Sequence, residues 1–386
     1  MLCRARFPQR ILSAAGAVLL LSALTIPSLS AEGAAPVPAA DDSATPSSQP
    51  YRGFDVPNLD PGLLSDAANK WHANIVRYMM RSQYEAQNRC HCSNQEAWNR
   101  MMSALPAELD TAKQLHLVVV LAMFQPPVKH FPSSRDQDIA YWASDDTLQV
   151  LTQAWTQIAK ICANRDQVIW FDLLNEPLDW DDMPSYPRKW PSWAQTLINA
   201  IRQIDQKHQI VIEPGPGGMP TGFKSFPKLK GDGLIYSFHD YQPAGYTQQG
   251  MTKQGTPDRE HPESWQPRHW PMTPSRPGEM YWDKRRMEQW VQPAVEFQNR
   301  NHVRMYVGEF SVVRWAPDAS QWLTDIINVF EQHGWDWTYH AFREAGLWSL
   351  ERTSSYTNPQ DLQGSGQRTD RGEVILQYLS RNQSSH

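Results

Sequence analysis

The chain has 386 residues, and its 36 Lys and Arg against 41 Asp and Glu give a formal net charge of −5. Both signs are dispersed and no run of five or more basic residues occurs, so binding to nucleic acid or to an anionic membrane has no electrostatic support. We therefore expect an uncharged partner. Aromatic residues make up 11% of the chain, with 17 Trp. A Trp ring offers a flat face and an N–H donor that suit a sugar ring, but it is equally an ordinary core residue.

The first fifty residues have the composition of a targeting segment and a leader. Three arginines within the first ten residues precede an apolar run from Ile11 to Ile26, and the small-residue site SLSAE follows. This pattern predicts a secretory signal peptide over 1–30; an uncleaved anchor is the alternative, but the run is short for a membrane span and no basic cluster follows it. Residues 31–50, rich in Ala, Pro and Ser, are predicted to be a disordered leader. We expect a secreted or periplasmic protein without membrane contact after cleavage.

Strand-like and helix-like patterns alternate through the predicted domain, residues 51–386. Eight strands are predicted, at 51–56, 73–80, 115–124, 167–174, 209–214, 233–241, 304–310 and 334–342. Several are continuously apolar, as expected of parallel strands covered on their outer face by helices. Helical patterns lie between most of them, although the segment between the fifth and sixth strands has little helix signal. The alternation predicts an α/β fold, a single (β/α)8 barrel.

Local signals mark helix ends and one unusual loop. Ser93 and Glu96 have the spacing of a capping box, and Gly334 is expected to cap a helix whose apolar face comprises Trp322, Leu323, Ile326, Ile327 and Phe330. The stretch from Gln242 to Glu279 is rich in Pro and longer than an ordinary connection. Because it follows the sixth strand, we expect it to serve a function at the carboxyl end of the barrel.

Cysteine usage gives little support for a structural metal. After signal cleavage Cys90, Cys92 and Cys162 would remain, an odd number, so at most one intramolecular disulfide can form. Cys90 and Cys92 lie too close together for a zinc ribbon, and no second Cys or His pair stands at ligand spacing. We expect neither a metal nor a cofactor.

Two carboxylates are predicted to share the mouth of the barrel. Glu176 follows the fourth strand in VIWFDLLNEP, and Glu309 closes the seventh in RMYVGEF. Polar residues at the carboxyl ends of barrel strands face one cleft. Two carboxylates are the minimum for hydrolysing a glycosidic bond, because one protonates the leaving oxygen while the other attacks the anomeric carbon or activates water. Either residue taken alone fits the polar end of a core strand equally well.

Further motifs beside these glutamates give the chain a family resemblance. They are Asn-Glu-Pro after the fourth strand, Gly-Glu-Phe on the seventh, Arg77 in NIVRY on the second, and His239 with Tyr241 in FHDYQP on the sixth. In this order, from Tyr51 to Glu351, they resemble glycoside hydrolase family 5, the cellulase-type retaining barrels. The resemblance implies that Glu176 is the acid/base and Glu309 the nucleophile.

The resemblance also implies supporting roles. Asn175 would hydrogen-bond the sugar 2-hydroxyl, and Arg77 would lie beneath the nucleophile and hold it ionised. Tyr241 would donate to the same carboxylate, and His239 would orient the substrate or the acid/base. Singly, Arg77, His239 and Tyr241 also fit a salt bridge, a core histidine and a packing residue. The two carboxyl groups should lie roughly 5 to 5.5 Å apart, the spacing for retention.

Two strands depart from the family pattern. Many members carry Asp-x-His at the end of the third strand, where this chain has Ala122 and Phe124. His340 takes the place of the usual Trp on the eighth strand, with Trp337 and Trp348 nearby in sequence. We expect these three residues to form an altered sugar subsite, so the identity of the sugar stays open.

Several functions fit these residues. The first is a monomeric, secreted β-glycosidase that cleaves a β-linked polysaccharide internally, with β-1,4-glucan as the first candidate and β-mannan or another β-glucan as the second. Transglycosylation, in which an acceptor sugar replaces water, would use the same residues. A non-catalytic carbohydrate-binding barrel is the alternative outside enzymes. It would have lost a catalytic glutamate or its supports, and all of them are present in this sequence.

Overall fold

A computed structural model describes residues 50–128, 135–251, 266–355 and 368–385. Within these ranges eight parallel strands close into a barrel, in which each strand pairs with the next and the last pairs with the first. The strands are β1 (Arg52–Val56), β2 (Ile75–Arg81), β3 (Val118–Gln125), β4 (Ile169–Asp172), β5 (Gln209–Ile212), β6 (Leu234–Asp240), β7 (Arg304–Phe310) and β8 (Asp336–Tyr339). The predicted (β/α)8 barrel and all eight strand positions are confirmed. The predicted signal peptide, and the leader up to residue 49, lie outside the described residues.

Helices surround the barrel in the described part of the chain. They are α1 (Pro61–Ser65), α2 (Ser82–Glu85), α3 (Asn94–Gln114), α4 (Arg135–Ala143), α5 (Asp145–Cys162), α6 (Trp190–Arg202), α7 (Ala244–Thr247), α8 (Lys284–Trp290), α9 (Gln292–Asn301), α10 (Ala319–Gln332) and α11 (Asp370–Leu379). Short π-helical turns at Asp66–Lys70 and Ala86–Cys90 follow α1 and α2. The connection from β5 to β6 contains only the 3₁₀ turn Pro220–Lys224, in agreement with its weak helix signal.

The predicted helix ends are largely correct. The Ser93 hydroxyl accepts a hydrogen bond from the backbone N–H of Glu96 at 3.2 Å, which caps α3. The Glu96 carboxylate does not complete the box but accepts a hydrogen bond from Arg100. Gly334 lies just beyond α10 with a φ of +67°, a left-handed conformation that glycine adopts without steric cost. The five apolar residues predicted for the inner face of α10 are all buried.

The barrel interior has an apolar floor and a charged upper layer. Inward-facing Ile75, Val118, Val120, Trp170, Val211, Ile235 and Tyr306 form a separate cluster that fills the lower part. Two residues after Ile75 on β2 stands Arg77, which faces the interior too because side chains alternate along a strand. It is fully buried. The outward-facing strand residues pack against the helices in the main core.

The long loop after β6 is only partly described, because residues 252–265 lie outside the described ranges. Its two flanks are joined by Gln249, whose side chain accepts a hydrogen bond from the Arg268 N–H at 2.7 Å and donates to the Arg268 carbonyl at 3.0 Å. The Trp315 indole donates to the Gln249 carbonyl at 2.8 Å. The flanks are therefore fixed to the segment that follows β7, at the carboxyl end of the barrel. The functional role expected of this loop stays a prediction.

The cysteine pairing that the sequence left open is local. Cys90 and Cys92 form a disulfide across His91, and Cys162 is free and buried on α5. Across the four described ranges, we find no helix with the length and apolarity that a bilayer span requires.

Candidate active site

Polar side chains from seven of the eight strands converge at the carboxyl end of the barrel. They come from the strands themselves or from the first residues after them: Asp55 (β1), Arg77 (β2), Asp172, Asn175 and Glu176 (β4), Glu213 (β5), His239 and Tyr241 (β6), Glu309 (β7) and His340 (β8). The topology explains this, since parallel strands in a barrel all end on the same face.

Arg77 lies at the centre of this group and is fully buried. Its guanidinium donates five hydrogen bonds, to Asp172 at 2.8 Å, Glu309 at 2.8 Å, Asn175 at 2.9 Å, Glu213 at 3.0 Å and Asp55 at 3.4 Å. The Phe124 ring lies over the guanidinium, 4.9 Å from its centroid. A buried cation is tolerated only when it is paired and hydrogen-bonded, and the surrounding carboxylates meet that condition.

Glu309 is surrounded by donors and cations. The Tyr241 hydroxyl donates to its Oε2 at 2.7 Å, Arg77 donates to its Oε1, and His340 Nδ1 lies 3.5 Å from Oε2. Burial would raise the pKa of Glu309, but the charges of His239, His340 and Arg77 with the Tyr241 hydrogen bond outweigh burial and hold this pKa well below its usual range. Glu309 is therefore an anion at neutral pH.

Glu176 has the opposite character. Its side chain is 23% exposed, so it reaches the cleft, and its Oε1 lies 2.9 Å from His239 Nδ1. Burial raises the pKa of Glu176 against the opposing effect of His239, and the charges of Glu309 and Glu213 add to the increase. One carboxylate oxygen of Glu176 lies within 4.8 Å of one of Glu309. Two carboxyl groups thus face each other with pKa values displaced in opposite directions.

His239 is held between two glycines and three carboxylates. A Cβ atom on Gly218 or Gly308 would lie 2.9 Å from its ring, so the ring requires glycine on both sides. Burial alone would lower the pKa of His239, but the charges of Glu213 and Glu309 and the hydrogen bond with Glu176 raise it well above its usual range. The surroundings therefore favour the imidazolium form of the ring.

Comparison with known proteins agrees with this geometry. A family model described as cellulase (glycosyl hydrolase family 5) matches residues 60–346. The chain belongs to this family. It is a glycoside hydrolase, as the resemblance in the sequence predicted.

The relatives of this family 5 enzyme include endoglucanases. Endoglucanase C of Acetivibrio thermocellus is 24% identical over 248 residues, which cover 60% of this chain and 70% of the relative. Endoglucanase 3 of Fibrobacter succinogenes is 31% identical over 103 residues, 26% of this chain and 16% of the relative. Among solved structures, an endoglucanase of Thermotoga maritima has a TM-score of 0.62 at 20% identity, covering 84% of this chain and 96% of that one. At this identity, the structural likeness supports the fold alone.

The predicted sugar subsite needs one correction. Trp337 is fully buried outside the barrel, where its indole donates to Glu331 at 3.0 Å and its ring packs on Phe310. The expectation that it contacts sugar is wrong. Side chains alternate along β8, so Trp337 and His340, three positions apart, point to opposite faces. This alternation was readable in the sequence.

The structure brings the other two residues expected at the sugar subsite, Trp348 and His340, close to Tyr241, and their contact with sugar stays a prediction. The Trp348 ring centroid is 6.0 Å from that of Tyr241 and 6.4 Å from that of His340, although Trp348 is only 2% exposed. His340 Nδ1 lies 3.0 Å from Asp55. Burial would lower the pKa of His340, but the charge of Glu309 and the Asp55 hydrogen bond raise it to about 9. His340 thus presents a cationic ring at the carboxyl end of β8.

The departure on β3 produces an apolar wall. Ala122 and Phe124 cluster with Met79 and Ala341 at the carboxyl end of the barrel. Where many family members have an Asp-x-His pair, this enzyme has no polar side chain to offer a sugar at these two positions.

The sequence pattern missed three acidic residues of the site. Asp55, Asp172 and Glu213 are fully buried around Arg77. Glu213 directly follows the residue that ends β5, so the strand-end argument used for Glu176 would have found it. Asp55 and Asp172 are single charges within apolar strands, and an unexplained charge of that kind is the available signal.

Two triads of this cluster have the spacing for a metal. In the described residues these are Asp55, Glu309 and His340, and Glu176, His239 and Glu309, whose candidate ligand atoms lie within 4.8 Å of one another. Metal binding requires neutral imidazoles. The pKa values of both histidines are raised, and Arg77 pairs with Glu309. The positive charge that a metal ion would bring to these carboxylates is therefore supplied by protonated imidazole rings and a guanidinium.

Proposed function

We propose that this family 5 glycoside hydrolase is a retaining endo-β-glycosidase that cleaves β-1,4-glucan by double displacement. The observation that carries the proposal is the pair Glu176 and Glu309. Carboxylate oxygens of the two residues lie within 4.8 Å of each other, a distance that suits retention, whereas inverting enzymes keep their carboxyl groups about 6.5 to 9.5 Å apart. Their opposite pKa displacements supply one proton donor and one anion.

In the first step Glu309 Oε attacks the anomeric carbon while Glu176 gives its proton to the glycosidic oxygen. The C–O bond to the leaving sugar breaks, and a glycosyl ester on Glu309 forms. In the second step Glu176, now a carboxylate, takes a proton from water, whose oxygen attacks the anomeric carbon and releases Glu309. The sugar retains its configuration, and both residues return to their starting protonation states.

Burial favours a proton on Glu176 by raising its pKa, against the opposing effect of His239. Asp55, Asp172, Glu213 and Glu309 supply up to four negative charges, against positive charges on Arg77, His239 and His340. The charges of Glu309 and Glu213 also raise the pKa of Glu176. Because Glu176 is also partly desolvated, its neutral form is favoured until substrate accepts the proton.

Two neighbours are placed to assist the first step. Tyr241 donates to Glu309 Oε2 at 2.7 Å and so helps to hold the attacking carboxylate in place as an anion. Arg77 donates a hydrogen bond to the amide oxygen of Asn175. The Asn175 N–H₂ group is then the donor for the sugar 2-hydroxyl, and this hydrogen bond strengthens in the transition state. Trp348 and the His340 ring are proposed to border the same sugar.

Similarity to endoglucanases supports β-1,4-glucan as the substrate. One structural relative, an enzyme of Thermotoga maritima, was solved with mannotriose, so β-mannan belongs in the same test. The apolar run after the N-terminal arginines supports secretion, and the secreted or periplasmic location is part of the proposal.

The deciding experiment is a panel of β-1,4-glucan, mixed-linkage glucan, β-mannan and xylan with product sizing, with and without an added acceptor sugar. Wild-type enzyme should release short oligosaccharides from β-1,4-glucan, and the first-formed product should be the β-anomer by NMR. Glu309→Ala should lose activity by several orders of magnitude. Glu373→Ala on α11, whose side chain is 61% exposed, is the control and should keep wild-type activity.

Two results would overturn the proposal. Near-normal turnover by a folded Glu309→Ala variant would remove the nucleophile assignment, and a first product with inverted configuration would remove the retaining mechanism. Longer products with an acceptor sugar would instead assign transglycosylation. Glu176→Ala should spare the first step for substrates with good leaving groups, and equal loss on all substrates would contradict its acid role.

A further inference from the structure

Glu213 is a buried acid whose two oxygens are both engaged by the active site. It directly follows the last residue of β5 and is fully buried. Its Oε1 accepts a hydrogen bond from Arg77 at 3.0 Å and lies 3.2 Å from His239 Nε2. Its Oε2 accepts the backbone N–H of Glu176 at 2.9 Å. Glu213 does not reach the cleft, so it contacts the proposed acid/base without contacting substrate.

The backbone of Glu176 needs such a support. Glu176 has a φ of +49°, in the left-handed region that is sterically unfavourable for a non-glycine residue. It also precedes Pro177, and a residue before proline prefers extended backbone. Both the positive φ and the following proline disfavour this backbone conformation, so it persists only when surrounding contacts stabilise it. The hydrogen bond from the Glu176 N–H to Glu213 is such a contact.

Glu213 also holds the ring that touches the Glu176 carboxylate. His239 Nδ1 faces Glu176 at 2.9 Å, and Nε2 faces Glu213. The Nε2 contact is an ion pair, not an aligned hydrogen bond, because Nε2 makes none in the described residues. Two ring nitrogens that both face carboxylates match an imidazolium, the form in which both carry protons. The ionic groups facing this ring are Glu176, Glu213 and Glu309, with Arg77 and Asp172 behind them.

We propose that Glu213 is a positioning residue for proton transfer: it fixes the Glu176 backbone through one oxygen and the His239 ring through the other. The proposal rests on the proposed function, since it assumes that Glu176 is the acid/base. Its consequence is selective. Loss of Glu213 should impair the steps in which Glu176 gives or takes a proton, while attack by Glu309 should be affected less.

The test compares Glu213→Gln with wild-type enzyme on two substrates. A β-1,4-glucan requires protonation of its leaving group, whereas a 2,4-dinitrophenyl β-cellobioside does not, so only deglycosylation then depends on Glu176. Azide can bypass that step: it attacks the anomeric carbon of the glycosyl ester, displaces the Glu309 carboxylate and needs no base. We expect about a hundredfold lower kcat on glucan, since misplacing a catalytic group by about 1 Å costs this much, and azide should stimulate turnover of the aryl substrate.

Asp172→Asn is the matched control. Asp172 is another fully buried carboxylate that accepts a hydrogen bond from Arg77, at 2.8 Å, but no hydrogen bond joins it to Glu176 or His239 among the described residues. Its variant should lower the rates on both substrates by similar factors and show no azide stimulation. If Glu213→Gln folds poorly, Glu213→Asp keeps the charge but is one methylene too short for the Glu176 N–H, and it should show the same azide stimulation.

The positioning role would be overturned if the wild type is active and the Glu213 variants lose kcat equally on both substrates, with no stimulation by azide. A second readout does not use activity: imidazole NMR should find that the pKa of His239 is lower in Glu213→Gln than in the wild type, because an anion that favours the charged ring has been removed. Identical titrations would also overturn the proposal. An inactive wild type with this NMR difference would instead reject the proposed function and keep the contact.

Discussion

Replacing Arg77 by Lys tests whether one guanidinium holds the charged layer of the barrel together. Arg77 donates five hydrogen bonds, four of them to carboxylates and one to Asn175. A lysine ammonium has three donors on a single nitrogen, so at least two of the five bonds are lost. Hydrogen bonds to charged groups contribute about 1.5 to 3 kcal/mol each. The variant should lose about 3 to 6 kcal/mol, out of the roughly 5 to 15 kcal/mol by which domains are stable.

The loss should increase with pH. Burial raises the pKa of Asp55 to about 6 and that of Asp172 to about 7, with Arg77 opposing both increases. A lysine ammonium contacts fewer of these carboxylates, so the pKa values of Asp55 and Asp172 rise further in the folded variant. In the unfolded chain both pKa values stay near 3.9. The folded variant then binds more protons than the unfolded chain, so its stability falls as pH rises. The deficit relative to wild type should therefore be larger at pH 8 than at pH 5.

Urea unfolding followed by Trp fluorescence at these two pH values measures both effects. Arg304→Lys is the control, because Arg304 is 35% exposed in its side chain and donates its two hydrogen bonds to the single carboxylate Asp336. A lysine can keep one of these two bonds to Asp336, so the same arithmetic predicts a loss of about 1.5 to 3 kcal/mol for the control. An Arg77→Lys deficit no larger than that of the control, or one that does not grow with pH, would refute the reasoning.

Three further predictions concern pH, packing and the corrected subsite. On β-glucan, kcat/KM should persist as the pH is lowered to the ordinary glutamate pKa of about 4.3, because Glu309 stays ionised. As the pH is raised above that value, kcat/KM should decline where Glu176 loses its proton. Activity already lost when the pH is lowered to 5 would contradict this prediction. Gly308→Ala places a Cβ 2.9 Å from His239 and should cost about 1 to 3 kcal/mol in urea unfolding and lower kcat, whereas unchanged kcat would show that the ring has room. Trp337→Phe should lower stability by about 1 to 3 kcal/mol and leave KM unchanged, and a raised KM would return Trp337 to the sugar subsite.

Much of the site could be predicted because a parallel barrel maps strand ends onto one place. Each strand was recognisable from a short apolar run. The type of the polar residue at the end of the run indicated which chemistry it could perform at the barrel mouth. Glu176 and Glu309 are 133 positions apart, yet strand ends alone predicted that they would meet. The contacts of Arg77 and Tyr241 with Glu309 lie where the family resemblance implied, while their catalytic roles stay predictions.

The sequence by itself determined the barrel, its strand positions and the two facing glutamates, because apolar periodicity and strand-end residues are local properties of the chain. Only the tertiary structure decided how charge is distributed among them. Glu213, Asp55 and Asp172 come from three different strands, and their pKa values depend on burial and on distances to Arg77 that no local pattern contains. The same holds for Glu176, whose pKa is raised by burial and by the anion of Glu309 against the opposing effect of His239.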